Sequence, residues 1–410
     1  MFGVIKDAMR KFIGRIIEFV NPNYVNDFEG YIAVGEDGKI KYVGEGYPNS
    51  EDIVDYSDFI IMPGFVDAHS HISQINSIGK VADNLLDWLN RYIFREEEKF
   101  RDEEYAKEYT EKFFREVLRN GTTMIFGYSS PYRRAVEIAF EVASRFGLRS
   151  IIGQVLMDRN VPESMIIPVD EARKDILEIS SKWNGYDDRI FYAVTPRFAV
   201  SCSKEMLKMA GEVARERNLI VQSHISEQKE EVEEVLREHS YARNYAEVYE
   251  KNHLLTDRTF LAHGVHLSDE EIEILARYHT KIVHCPSSNF FLHSGIMGWK
   301  RLENGGIDIL LGSDVAAGPS LSMFEVIKDA YYANKLPLKK LFYHATTLPM
   351  EILGIKANKF YKGYDADFIV VRAENRYGDI EDILSELVFK GDDRNILATY
   401  VKGRKVWEAK

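Results

Sequence analysis

Phe59-Ile60-Ile61-Met62-Pro63-Gly64-Phe65-Val66-Asp67-Ala68-His69-Ser70-His71 is an apolar run that ends in two histidines one residue apart. Side chains alternate along a strand, so His69 and His71 share a face and can grip one metal ion. The pair alone is a weak signal, because a single histidine is more often a hydrogen-bonded core residue. Three residues further along strengthen it. His224, His263 and Asp314 also end apolar, strand-like runs.

Working outward from this run, eight short apolar stretches read as strands: Phe59–Asp67, Thr122–Gly127, Leu148–Val155, Ile190–Thr195, Leu219–Ser223, Thr259–Ala262, Lys281–His284 and Ile307–Gly312. Amphipathic stretches such as Asp102–Arg119, Arg133–Phe146 and Ser203–Arg217 lie between them. Ser268-Asp269-Glu270-Glu271 opens another helix with a capping-box pattern. Strands alternating with helices indicate an α/β fold, and eight of them indicate a (β/α)8 TIM-like barrel. The chain ends read differently. Tyr31–Val34 and Lys39–Val43 flank Gly35-Glu36-Asp37-Gly38, a hairpin signal. Asp367–Val371, Ala398–Val401 and Gly403–Trp407 are strand candidates too. Neither end buries much alone, so residues 1–58 and 361–410 are expected to form one small β-sandwich domain around a barrel of residues 59–360.

The chain has 410 residues, 45% of them hydrophobic, enough for a large core. Its net charge of −12 repels phosphate backbones and anionic lipid, so neither nucleic acid nor a membrane surface is an expected partner. Two cysteines, Cys202 and Cys285, cannot build a disulfide framework, which suits a reducing, cytoplasmic setting. The N-terminal stretch is interrupted by Lys6, Asp7, Arg10, Lys11 and Arg15 and has no secretory apolar core. Homodimerisation is plausible for a barrel of this size.

Barrel active sites lie at the C-terminal ends of the strands, where all the candidate ligands fall. A catalytic zinc site has three protein ligands and keeps a position for water, sometimes expanding to five-coordinate. His69, His71 and His224 supply three imidazoles and Asp314 a hard oxygen. Glu227 stands three residues after His224. With a turn at the strand end it reaches back to the metal, where a carboxylate can move protons. The bland reading is a glutamate at a helix N-terminus, favoured by the helix dipole, and the two readings are compatible. His263 is placed to polarise the water or stabilise an oxyanion. His284 ends the seventh strand and stands behind the site, and Cys285 reads as packing.

These motifs resemble the amidohydrolase superfamily and, within it, the guanine deaminases. The likeness runs through Pro63–Gln74, Leu85–Leu89 with Tyr92 and Phe94, Thr195–Phe198 with Ser201–Ser203, Ser223–Glu227, Ala262–Gly264, His284–Pro286 with Ser288-Asn289, Gly312–Val315 and Gly391–Ile396. It implies hydrolytic deamination of guanine to xanthine and ammonia, with another heterocycle such as a pterin, cytosine, a triazine or an adenosine derivative as the rival. It implies one Zn2+ per subunit on His69, His71, His224 and Asp314. Glu227, Asp314 and His263 would be catalytic, and Gln74, Arg197 and Phe198 would bind a small purine. An amide and a guanidinium suit guanine's carbonyl and ring nitrogens, and an aromatic face suits a flat base. Strand four ends Val194-Thr195-Pro196-Arg197 without the lysine that bridges two metals in related barrels, which favours a single ion. Ser313 and Ala317 stand where Thr and Gly are common in the family, and the segment from Tyr128 to Arg134 matches poorly.

Overall fold

Eight parallel strands form the barrel: Phe65–His71, Thr122–Tyr128, Arg149–Gly153, Ile190–Pro196, Ile220–Ile225, Thr259–His263, Lys281–His284 and Ile309–Leu311. Each pairs with its neighbour in chain order. A two-residue strand, Val155–Leu156, adds to the fourth. The ring closes where the chain leaves strand eight: Asp314 N–H donates to His69 O at 2.8 Å, and His71 N–H to Val315 O at 3.0 Å. Gly312 permits this closure, since a Cβ there would lie 2.7 Å from that of His69. The computed structural model describes residues 9–49, 52–82 and 84–410. Residues 1–8, Lys6 and Asp7 among them, residues 50–51 and Asp83 lie outside it.

The run Phe59–Asp67 is two strands rather than one. Its first half ends the strand Ile53–Pro63, which belongs to a second sheet. At Gly64 the chain passes so close to Thr123 that a Cβ would sit 2.1 Å from its methyl group. The barrel strand begins only at Phe65. Continuous apolarity hid the break, because both halves are buried against different partners.

That second sheet has seven strands drawn from both chain ends. Arg10–Asn21 pairs antiparallel with Tyr24–Val34, which pairs with Ile40–Glu45. The other edge of Arg10–Asn21 runs parallel to Ile53–Pro63. Ile53–Pro63 then pairs antiparallel with Phe368–Val371, followed by Ile396–Val401 and Arg404–Glu408. One face encloses a separate apolar cluster of Phe12, Ile16, Ile61, Phe368, Val370 and Tyr400.

A buried ion cluster fastens this sheet to the barrel. Arg149, at the start of barrel strand three, donates to Asp367, to Asp365 at 2.7 Å and to Asp188 O at 3.2 Å. Lys39 reaches the other oxygen of Asp365 at 2.8 Å.

The barrel helices start where their caps dictate. Asp102 caps Glu103–Arg119, Ser203 caps Lys204–Glu216, and the Ser268–Glu271 box opens Asp269–Arg277. Between strand one and the first of these helices, the chain builds a cover over the barrel mouth. It consists of a 3₁₀ turn (Ile72–Ser77), a short helix (Leu85–Trp88), a π-turn (Leu89–Ile93) and a helix (Phe94–Glu98). No helix among the described residues is long and apolar enough to cross a membrane.

Candidate metal centre and active site

The strand ends bring five donors together. His69 Nε2 lies 3.1 Å and His71 Nε2 3.3 Å from Asp314 Oδ1, and His71 Nε2 is 3.2 Å from His224 Nε2. Donor atoms of His69, His224, His263 and Asp314 all lie within 4.8 Å of one another. Left-handed backbone occurs at His263 (φ 77°), the last residue of strand six, and at Asp314 (φ 49°), three residues past the end of strand eight.

The arrangement fits a cation. His224 Nδ1–H donates to Arg197 O at 2.5 Å, which leaves the Nε2 lone pair facing the cluster. His263 Nδ1 is held by Asn289 Oδ1 at 3.0 Å, while its buried Nε2 has no hydrogen-bond partner among the described residues. Burial holds the histidines in their neutral, ligand-competent form: it lowers His69, takes His71 down to about 3 and puts His224 well below its ordinary value. Burial works to raise Asp314, but the surrounding histidines, led by His69, more than reverse it, and the group stays a carboxylate. Several neutral imidazoles around one buried carboxylate make a donor set for a divalent ion.

Glu227 stands beside this cluster. Strand five ends at Ile225, Ser226 turns through φ 51°, and the Gln228–Glu231 capping box starts the helix Lys229–Glu238. The reversal puts Glu227 Oε2 3.5 Å from His263 Nε2, and Ser294 Oγ–H donates to Oε1 at 3.1 Å. Burial, reinforced by the charge on Asp314 and opposed by Ser294, raises the Glu227 carboxyl to about 8.

A narrow cavity opens onto these groups. Gln74, Arg197 and Phe198 line it together with His71, His224, Glu227, His263 and Asp314. Leu85, Trp88 and Leu89 from the cover, Leu292 and Ala317 complete the wall. Phe198 sits 6.3 Å, ring to ring, from His224. The structure thus brings together every residue singled out from the sequence for metal, proton transfer or base.

Three residues escaped the sequence reading. Glu97, fully buried, accepts from Gln74 Nε2 at 2.8 Å and from Arg197 Nη1 at 2.7 Å. Tyr128 packs its ring 4.6 to 5.0 Å from those of His69, His71 and His224. Asp67 accepts from Ser313 N–H at 2.8 Å and from its hydroxyl at 2.5 Å, binding strand eight to strand one. His284 is buried away from the donor cluster, 3.4 Å from Asn334 Nδ2 and edge-on to Trp299. Cys285 is core packing. Gly391–Ile396 forms a capped turn before the last strands and lines no part of the cavity.

A barrel with this donor set is the architecture of metal-dependent hydrolases, and the chain belongs to the amidohydrolase family, whose model matches residues 60–406. Among its relatives, the guanine deaminase of Dictyostelium discoideum is 33% identical over 95% of this chain and 91% of its own length. That of Escherichia coli K12 is 32% identical over 95% of this chain and 94% of its own. The solved guanine deaminase of C. acetobutylicum, with guanine bound in its active site, superposes with a TM-score of 0.93 at 33% identity. It covers 98% of this chain and 100% of that one.

Proposed function

We propose that this chain hydrolyses guanine to xanthine and ammonia. The observation that carries the reading is the single cavity in which Gln74, Arg197 and Phe198 face the histidine–carboxylate cluster and Glu227. Its close likeness to a deaminase solved with guanine in place supports the choice of base.

His69, His71, His224 and Asp314 would hold one zinc ion, which lowers the pKa of a water molecule to roughly 7 and makes it a nucleophile at neutral pH. The chain's own residues do the rest. Arg197 and Gln74 offer hydrogen bonds to the carbonyl and ring nitrogens, and Phe198 packs on the base plane. Together they aim C2, the carbon bearing the amine, at the nucleophile. Glu227 takes a proton from the water and passes it to the ring nitrogen beside C2. Asp314 moves the second proton to the departing amine, and His263 stabilises the charge that develops on oxygen. Ammonia leaves, and C2 becomes a carbonyl.

The reading includes a cytoplasmic enzyme acting as a homodimer. Two buried thiols, Cys202 and Cys285, neither in a disulfide, support a reducing compartment. An ammonia-release assay on zinc-loaded protein with guanine, adenine, cytosine and a pterin tests the assignment. Guanine should be preferred by orders of magnitude in kcat/KM, and faster turnover of any other ring would displace it.

A further inference from the structure

Gln74 and Arg197 follow different barrel strands, yet one carboxylate ties them together. Glu97 lends Oε1 to Gln74 and Oε2 to Arg197. It comes from the cover helix Phe94–Glu98, and Phe94, three residues earlier on the same face, lies under the Arg197 guanidinium at 5.5 Å. Arg197 is itself 3% exposed. A buried guanidinium without a counter-charge is strongly unfavourable, so Glu97 is what makes Arg197 tolerable in this wall. The pair sums to zero charge. Arg197 Nη2 keeps its N–H donors without a protein hydrogen bond among the described residues, but with no surplus positive field behind them.

The same contact orients Gln74. Its Nε2 donates to Glu97 and its Oε1 accepts from Ala316 N–H at 3.3 Å, so the amide cannot flip without losing both. One N–H and one lone pair remain for a ligand.

We propose that Glu97 is a specificity-determining positioning residue, which neutralises Arg197 and fixes Gln74 so that the cavity accepts an uncharged purine and rejects anionic oxopurines. The proposal rests on the reading that Gln74 and Arg197 hold the base. It has a use in turnover. Xanthine carries one more carbonyl than guanine and loses a proton more readily, so a pocket that disfavours anions helps product to leave.

Steady-state kinetics with guanine, and inhibition by urate as an anionic oxopurine, test this on zinc-loaded E97Q, E97D and R197Q. In E97Q the Arg197 cation is uncompensated, so KM for guanine should rise about tenfold while urate inhibition tightens by about tenfold. The change in kcat should be smaller than that in KM. E97D keeps the charge but is too short to bridge both partners, so KM should rise while urate stays a weak inhibitor. A merely structural glutamate would weaken both ligands together. Unchanged or weaker urate inhibition in E97Q, or urate tightening in E97D to the same degree, overturns the proposal. If E97Q does not fold, E97D decides: an unchanged KM there also overturns it. R197Q with the parent KM would instead remove the underlying reading of base recognition.

Discussion

Buried beside Asp314, the Glu227 carboxyl is held up at about 8; a cation on the neighbouring ligands would lower it, toward the carboxylate that takes the water's proton and then gives it to the ring. Glu227→Gln keeps the shape and the hydrogen bond with Ser294 but cannot shuttle. We expect kcat to fall by about 10²- to 10⁴-fold. Bound metal, measured by atomic absorption, should stay at the parent level; full activity would take the shuttle role away. At this scale the sequence was most legible where chemistry fixes position. Ligands of one ion must sit at strand ends, so His69, His71, His224, His263 and Asp314 stood out by placement alone. Glu97 did not, because Arg95-Glu96-Glu97-Glu98-Lys99 reads as an ordinary solvated helix face. Only the fold reveals that Glu96 and Glu97 turn inward. Tyr128 was hidden because its neighbourhood is where the family likeness is poorest.

Arg149 joins two elements remote in sequence, barrel strand three and the strand that follows Asp365 and Asp367. Arg149→Met would leave both carboxylates buried near one another without their shared cation. Unfolding in urea should show a loss of about 3–5 kcal/mol. A loss well under 1 kcal/mol would mean water or Lys39 takes over. The same cluster gives an acid limit. Burial alone would raise Asp365, but Lys39 and Arg149 more than reverse it and its folded value lies below the ordinary one. Its contribution is therefore complete above the unfolded carboxylate value, about 3.9. It fades as pH falls through the depressed one. In the Arg149→Met protein this part of the acid-unfolding curve should flatten. Elements were read well where caps and periodicity agreed, as at Asp102, Ser203 and Ser268. They were misread where apolarity ran unbroken across Gly64. In the cover, Leu85, Trp88, Leu89, Tyr92 and Ile93 recur at helical spacing and do form helical turns, whereas the 3₁₀ turn Ile72–Ser77 before them has no such repeat and takes its shape from packing over the barrel mouth.

For the molecule as a whole, removal of metal is the most direct test. Chelation should abolish ammonia release and lower Tm by several degrees, because a ligand bound only to the folded chain stabilises it by mass action. Zinc should restore both, and unchanged Tm and activity after exhaustive chelation would contradict a metal centre. The seven-stranded sheet also sets an order of events. Ile53–Pro63 has Arg10–Asn21 on one edge as soon as both are made, but its other edge waits for Phe368–Val371, about 300 residues later. At a ribosome's pace that is roughly 15 to 60 s with an apolar strand edge open. The nascent chain therefore passes through a window in which this edge can recruit a wrong partner. Yield in the cell should depend on how quickly the tail emerges, even for variants whose finished fold is equally stable.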